Sequence, residues 1–440
     1  MPQTRNSRAG AGAATLATPL TRPRPMRIAL VGYGTVGRSV AKILCERPCA
    51  NLVLTHICNR DVERKKDLSL PAAIQWTGNI DDVLASDADI VVEVVGGLEP
   101  AGNWVRTALQ LGKSVVTANK QLIAHHGAEL SQLARHKGKQ LAFGASVAGG
   151  VPVLSGLQEG LAGDRLYKLL GILNGTCNFI LTKVENEELS FATALRQAQE
   201  AGFAEADPTD DVDGYDARAK LTILARVALG TQLRPTDIAC RSIAEVEAVD
   251  FPYAHQLGCT IRQISRAEVQ GKKLLAAVSP ALVPLDSPLA RVSGSQNCVL
   301  ATGEYGGETV FSGHGAGGNP TAVAVVSDLI AIASSNRDAV NAYEPPAEVA
   351  RKVSGDFVTA HYVRFIVNDR PGIIARLTTV FGAHEINIDS VLQQPGYPKD
   401  KLPFVITLEP CSNSAVQSAL QEIAKLDFHL QPPVCLPTIK

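Results

Sequence analysis

Short apolar runs alternate with amphipathic ones from Met26 to about residue 150. "MRIALV" (26–31) leads at once into "GYGTVG" and then "RSVAKILCE", which predicts strand, glycine turn and helix. "NLVLTHIC" (51–58), "DIVVEVV" (89–95), "SVVTANK" (114–120) and "QLAFGASV" (140–147) predict further strands, with helical stretches between them. The 89–95 run is nearly continuous in apolar residues, as a strand buried on both faces requires. Strands alternating with helices predict an α/β fold over 26–150, a Rossmann-type doubly wound parallel sheet.

The pattern changes after residue 151. "YKLLGILNGT" reads as a strand running into a turn. "SFATALRQAQEAG" reads as a helix with Ser190 as N-cap and Gly202 just past its end. "GYDARAKLTILARVALG" predicts another helix, closed by Gly230, and residues 271–313 are strand-rich. Together these predict an α+β domain over 151–318. The apolar helix that follows, about 319–335, is expected to pack back on the first domain. Residues 336–360 read as a linker. From 361 to 440, strand–turn–helix–strand is followed by strand, helix and a short extended end, a ferredoxin-like β-α-β-β-α-β domain.

A chain of 440 residues exceeds one ordinary core, in keeping with several domains. A net charge of −1 gives no basic excess of the kind that nucleic-acid binding by charge would need. No apolar run approaches the roughly 20 residues of a membrane-spanning helix. Nine scattered cysteines, with only Cys45 and Cys49 close together, lack the second pair of a structural zinc site. They read as reduced thiols in a reducing, cytoplasmic compartment. Residues 1–25 carry four arginines and no acid, and read as a disordered tail rather than a transit peptide, since "TRPRP" makes a poor amphipathic helix.

Gly32, Gly34 and Gly37 fit G-x-G-x-x-G in the required setting, after a strand and at the opening of a helix. Such glycines let the backbone approach a pyrophosphate, which then faces the helix N-terminus at Thr35 and Val36. The second strand ends Cys58-Asn59-Arg60, with no acid in place to hold a ribose 2′-hydroxyl. Asn59 and Arg60 therefore favour NADP, Arg60 pairing with a 2′-phosphate, and NAD is the alternative because Asp61 follows. Lys120, in "TANK" just past an apolar strand, lies where ligands bind in an open α/β sheet.

"EADPTDDVDGYDARAK" (205–220) is dense in acids and ends on a lysine. Read as an EF-hand with Asp213-Gly214 at positions five and six, it puts Thr209 at one and Lys220 at twelve, both wrong for calcium. Read as a helix, it places Asp216 and Lys220 at i and i+4 on one face. Lys220 then borders the apolar "LTILA", where a lysine pKa can be lowered. Glu205 precedes it in a loop and can fold over the same face. On spacing alone, a solvated surface turn accounts for the run at least as well.

The spacing of Ala198, Gly202, Phe203, Ala204, Asp207, Pro208, Asp211, Val212, Gly214, Asp216 and Lys220 resembles the homoserine dehydrogenase signature position for position. The resemblance continues through "VVGGLEPA", "VTANK", "ASVAGGVP", "GILNGTCNFIL" and "GAGGNPTAVAVVSDL", over about 26–335. It implies reversible NAD(P)H-dependent reduction of L-aspartate 4-semialdehyde to L-homoserine. By that resemblance Lys220 is the proton donor and Lys120 assists at the substrate oxygen and the nicotinamide, so that it counts among the cofactor-binding residues as well. Glu205 holds the substrate ammonium, Asp216 and Asp210 are further substrate-side carboxylates, and Asn174-Gly175-Thr176 form a substrate-side loop. Gly96, Gly97, Gly202 and Gly315 join the cofactor residues. The middle domain is expected to make the interface of a homo-oligomer, dimer or tetramer.

One position departs from the family. A glutamate commonly opens "EASVAGG" and, with main-chain carbonyls, holds a monovalent cation; here that position is Gly144. Carbonyls of Val147, Gly149 and Val151 remain for sodium or potassium. His314 reads as a local hydrogen-bonding group. The segment from 361 resembles an ACT domain, with "NDRPG" (368–372) as its first strand–helix loop. It implies an amino-acid effector, threonine being expected, held by Asn368, Asp369, Gly372 and Ile373. Two other classes stand beside this reading: another Rossmann oxidoreductase acting on a small oxo acid, and a non-catalytic nucleotide sensor.

Overall fold

The computed structural model describes residues 24–47, 51–334 and 349–439. The arginine-rich segment 1–23, Cys49 and residues 335–348 lie outside the described residues.

Six parallel strands form the first sheet, in the spatial order Gln75–Thr77, Leu52–Cys58, Met26–Val31, Ile90–Glu93, Ser114–Thr117, Leu141–Ala142. The order reverses between Met26–Val31 and Ile90–Glu93, so a crevice opens beyond their carboxyl ends, where doubly wound sheets bind ligands. Ile28, Leu30, Ile90 and Val92 are fully buried, as the unbroken apolar runs require. The helix Gly318–Ser334 returns to this sheet and places Ala322, Val325 and Leu329 in the same apolar cluster.

The second sheet is mixed. Its backbone is the long antiparallel pair Cys259–Gln270 and Lys273–Pro284, flanked by Leu166–Ile172, Gln296–Gly303 and Gly307–His314. The first strand of that pair lies outside the strand-rich stretch expected from sequence. The helix Tyr215–Leu229 packs on this sheet, burying Ala217, Leu221 and Leu224. Two short pieces of the expected linker are strands: Val349–Ala350 pairs with Thr231–Gln232, and Lys352–Ser354 with Lys273–Leu275. The first makes a separate two-stranded ribbon and the second joins the edge of the second sheet, both before the third domain begins.

The C-terminal sheet has the order Ile388–Leu392, Leu402–Ser412, Val358–Val367, Val434–Pro437, all antiparallel. Helices Ile373–Ala383 and Asn413–Ile423 complete the β-α-β-β-α-β unit. This unit is not tethered loosely. Tyr362, Val405, Val434 and Leu436 share an apolar cluster with Phe251, Tyr253 and Ile261 of the middle domain.

Candidate active site

Gly32 begins the glycine turn at φ +102 and donates its N–H to Cys58 O at 2.9 Å. A Cβ on Gly37 would lie 2.0 Å from Gly32 O, so the tight approach of helix to turn excludes any side chain there. The helix Thr35–Glu46 starts behind Gly34 with no side-chain cap, leaving first-turn N–H groups free for an anion. Asn59 Oδ1 accepts from Tyr33 N at 3.2 Å and so braces the turn from the second strand. Asp61 caps the short helix Val62–Lys65, accepting from Arg64 N at 3.3 Å. Its carboxylate has a structural partner, and Arg60 is left exposed beside the turn. The cradle fits a dinucleotide.

Beyond the strand ends lies a cleft of about 260 Å³. Val36, Gly96, Asn119, Lys120, Ser146, Gly149, Lys220 and Gly315 are among its lining residues. Gly149, at φ +47, and Gly315 meet back to back; a Cβ on Gly149 would lie 2.4 Å from Gly315 O. Two loops from different domains close the cleft through this contact.

Lys120 opens the helix Lys120–His136, whose N-cap Asn119 accepts from Leu122 N at 3.1 Å. Asp216 and Lys220 lie one turn apart on the helix Tyr215–Leu229, which ends at Gly230 with φ +54. Lys220 Nζ donates to Asp216 Oδ2 at 2.7 Å and to Leu173 O at 2.9 Å. Lys120 Nζ pairs with the other oxygen, Asp216 Oδ1. Asn174 Nδ2 donates to Asp216 Oδ2 at 2.9 Å and to Asp211 Oδ1 at 2.6 Å. Two ammonium groups from different domains therefore converge on one buried carboxylate at the cleft.

The electrostatics follow from that geometry. Burial alone would raise the Asp216 carboxyl, but the ammonium groups of Lys220 and Lys120 overturn it and hold the group well below the usual range. Burial pulls the Lys120 ammonium down, and the Asp216 carboxylate more than offsets this, so its pKa is raised. Burial raises Asp211, with the Asn174 hydrogen bond opposing and the Asp216 charge adding to the rise.

Not every expected residue meets at this centre. Glu205 and Asp210 are exposed. Gly202, at φ +74, ends the helix Phe191–Glu200, which Ser190 caps at Thr193 N, and Gly202 is not among the residues lining the cleft. Asn174 is no plain turn residue: it caps the helix Gly175–Glu187 through Cys177 N at 2.7 Å. A Cβ on Gly175 would lie 2.6 Å from Ser295 O, and Thr176 Oγ1 donates to Phe203 O at 2.8 Å, tying this loop to the acidic stretch. His314 is exposed at the end of an edge strand. Asp211, adjacent to Asp210 in the same acidic run, is half-buried and held by Asn174, whereas Asp210 is exposed; spacing alone does not rank neighbouring acids.

The cation question turns on Asp328. Its Oδ2 accepts from Gly144 N at 2.8 Å, and a Cβ on Gly144 would lie 2.7 Å from Asp328 Oδ1. A side chain at position 144 would therefore require the Asp328 carboxylate to move. The carbonyl of Val151 already accepts from Val153 N at 2.7 Å. No cluster of three metal-ligating side chains occurs among the described residues. Val147, Gly149 and Val151 do not by themselves make a charged cation site.

Comparison with known proteins agrees with the architecture. The homoserine dehydrogenase NAD binding domain model matches residues 32–144, the homoserine dehydrogenase model residues 152–330, and the ACT domain model residues 361–428. A Bacillus subtilis homoserine dehydrogenase is 37% identical over 415 residues, 92% of this chain and 96% of that one. The crystal structure of a Thiobacillus denitrificans homoserine dehydrogenase superposes with a TM-score of 0.88 at 32% identity, covering 95% of this chain and 99% of that one. A hyperthermophilic archaeal homoserine dehydrogenase in complex with NADPH gives a TM-score of 0.61 at 29% identity, over 70% of this chain and 98% of that one. The chain belongs to the homoserine dehydrogenase family of oxidoreductases, with an ACT domain at its C-terminal end.

Proposed function

We propose that the protein interconverts L-aspartate 4-semialdehyde and L-homoserine with NADP(H), a step towards threonine, methionine and isoleucine, under feedback control by threonine. The observation that carries the chemistry is the Lys220–Asp216–Lys120 centre at the cleft. The bound nicotinamide supplies or accepts the hydride. Reduction then needs one proton at the aldehyde oxygen, and Lys220 donates it; in the reverse direction Lys220 takes the hydroxyl proton. Asp216 keeps both lysines oriented for this exchange. Lys120, at the mouth of the cleft, stabilises negative charge developing on the same oxygen.

Glu205 and Asp210, exposed on the acidic stretch, bind the substrate ammonium, and the Asn174–Gly175–Thr176 loop holds the substrate end against them. Cofactor preference is for NADP: no acid stands free at the end of the second strand, and Arg60 is available for a 2′-phosphate. Gly32, Gly34, Thr35, Val36, Gly37, Asn59, Gly96, Gly97 and Gly315 shape that side of the cleft.

In the ACT domain, a cavity of about 260 Å³ is lined by Val367, Asp369, Gly372, Ile373 and Phe404 among others. It suits a small amino acid, with Asp369 for the ammonium and Arg370 for the carboxylate; Asn368 N is bonded to Phe428 O at 3.0 Å and fixes the loop. A dimer or tetramer would use the middle sheet and the ACT edge strand Ile388–Leu392. The described cysteines are all unpaired, in keeping with a reducing cytoplasm.

The test is NADPH oxidation with aspartate semialdehyde by the wild type and by Lys220→Ala, with and without threonine. Activity that the substitution abolishes, and that threonine lowers, is expected. A wild type that binds NADPH yet leaves the semialdehyde untouched would overturn the assignment.

A further inference from the structure

Glu93 is the last residue of the strand Ile90–Glu93, at the point where the sheet order reverses, and is 1% exposed. It forms no ion pair among the described residues. A buried carboxylate without a cation is costly unless hydrogen bonds replace its water. Here they do, and each leads to the cleft. Glu93 Oε1 accepts from Val95 N at 2.8 Å and Gly96 N at 2.9 Å. Glu93 Oε2 accepts from Thr117 Oγ1 at 2.6 Å.

The Thr117 hydroxyl has a fixed direction. Its oxygen accepts from Asn119 N at 3.0 Å, so its proton is the one directed at Glu93. Asn119 then closes the ring, donating from Nδ2 to Gly97 O at 2.6 Å, while its Oδ1 caps the helix that Lys120 begins. One arm of this network therefore fixes Val95 and Gly96, a wall of the cofactor side of the cleft. The other arm runs through Thr117 and Asn119 to Lys120.

We propose that Glu93 is a positioning residue: its carboxylate holds the two loops that frame the cofactor and sets the place of Lys120. An apolar side chain at this strand end would suit the buried sheet as well. It would leave two loop N–H groups and a hydroxyl without their acceptor. The inference rests on the reading of the cleft as a dehydrogenase site.

The two arms separate experimentally. Thr117→Val breaks only the arm to Lys120, so kcat should fall about tenfold or more while NADPH affinity, measured by fluorescence titration without substrate, stays near wild type. Thr117→Ser should restore kcat. Glu93→Ala breaks both arms and should lower kcat about 100-fold and weaken NADPH binding as well. Glu93→Gln is isosteric and guards against misfolding. With its amide oxygen kept on the Val95 and Gly96 N–H groups, its N–H can reach the second lone pair of Thr117 Oγ1 and only the hydroxyl proton loses its acceptor, so it should show a milder loss, chiefly in kcat. Wild-type kcat in Thr117→Val, or wild-type NADPH affinity in both Glu93 variants with only the melting temperature lowered, would overturn the proposal. If the wild type reduced no semialdehyde, the functional reading would fail instead, and the NADPH titrations would still decide whether Glu93 sets the cofactor wall.

Discussion

Asp216 in the cleft and Asp250 at the domain seam are both buried carboxylates answered by cations, at 3% and 0% exposure. Asp216 has two ammonium groups, and the side chains of Lys220 and Lys120 keep 13% and 39% of their own exposure. Asp250 has one guanidinium, Arg364 at 2.9 Å, with Tyr362 Oη donating at 2.7 Å and Glu247 N at 2.8 Å. The Arg364 side chain is 2% exposed and also meets Glu245 O and Glu247. Burial raises Asp250, and its single cation offsets this only in part. At Asp216 two cations reverse it. The difference separates a charge cluster that opens onto a cleft, where its protons can move, from one sealed between a helix and the ACT sheet, where it fixes how two domains meet.

The largest expected effect tests the first half of that contrast. Asp216→Asn keeps the shape but removes the charge that orients both lysines. kcat should fall by about 10²–10⁴, the range of a lost acid–base group, with the folded state retained because both lysines can turn towards solvent. Steady-state kinetics beside a thermal melt would show it. A variant that unfolds but turns over normally per folded molecule would place Asp216 with Asp250.

Asp250→Asn should do the reverse. It leaves Arg364 buried beside a neutral amide, with Glu247 and Glu245 O as its remaining partners, so the cost should stay below the roughly 3–5 kcal/mol of a buried charge left unpaired. Denaturant midpoints should drop accordingly while kcat without effector holds. The pH behaviour should differ in sign as well. A depressed carboxyl such as Asp216 contributes stability that is present above the unfolded pKa and lost as pH falls through the folded one. A raised one such as Asp250 binds its proton more tightly when folded, so its contribution declines as pH rises through the folded pKa. Acid titrations of the two variants against wild type should therefore diverge in opposite directions.

Sequence reasoning reached one of these centres and not the other, for a physical reason. Asp216 and Lys220 are a helical i,i+4 pair, and Ser190 and Gly230 are local caps, so all are written within a few residues. The glycine turn is equally local. The Lys120–Asp216 contact joins two domains, and no spacing encodes it. Asp250–Arg364 is likewise a tertiary pairing, between a helix in the middle domain and a strand in the last. Glu93 lay inside an apolar run, where strand pattern reports burial but not which side chain turns back to meet loop N–H groups. Val349–Ala350 and Lys352–Ser354 were too short for any alternation to show, and a linker was the natural reading of them.

Asp328 extends the series to a carboxylate with no cation among the described residues, and carries the smallest expected effect. Its partner is the Gly144 N–H, and burial raises its pKa to about 6. Such a group costs stability once it ionises: its contribution declines as pH rises from about 4 to about 6 and is level beyond. Asp328→Asn keeps an acceptor for Gly144 N and carries no charge. It should be more stable than wild type at pH 8, by on the order of 1 kcal/mol after the cost of the amide's own N–H groups. The gap should close as pH falls towards 4, where wild-type Asp328 is protonated. Denaturant midpoints across that range would measure it. A gap of opposite sign at pH 8 would mean that the ionised carboxylate has a cation after all. Repeating the titration with sodium and with potassium would then show whether that cation comes from solution, at the place where position 144 offers no ligand.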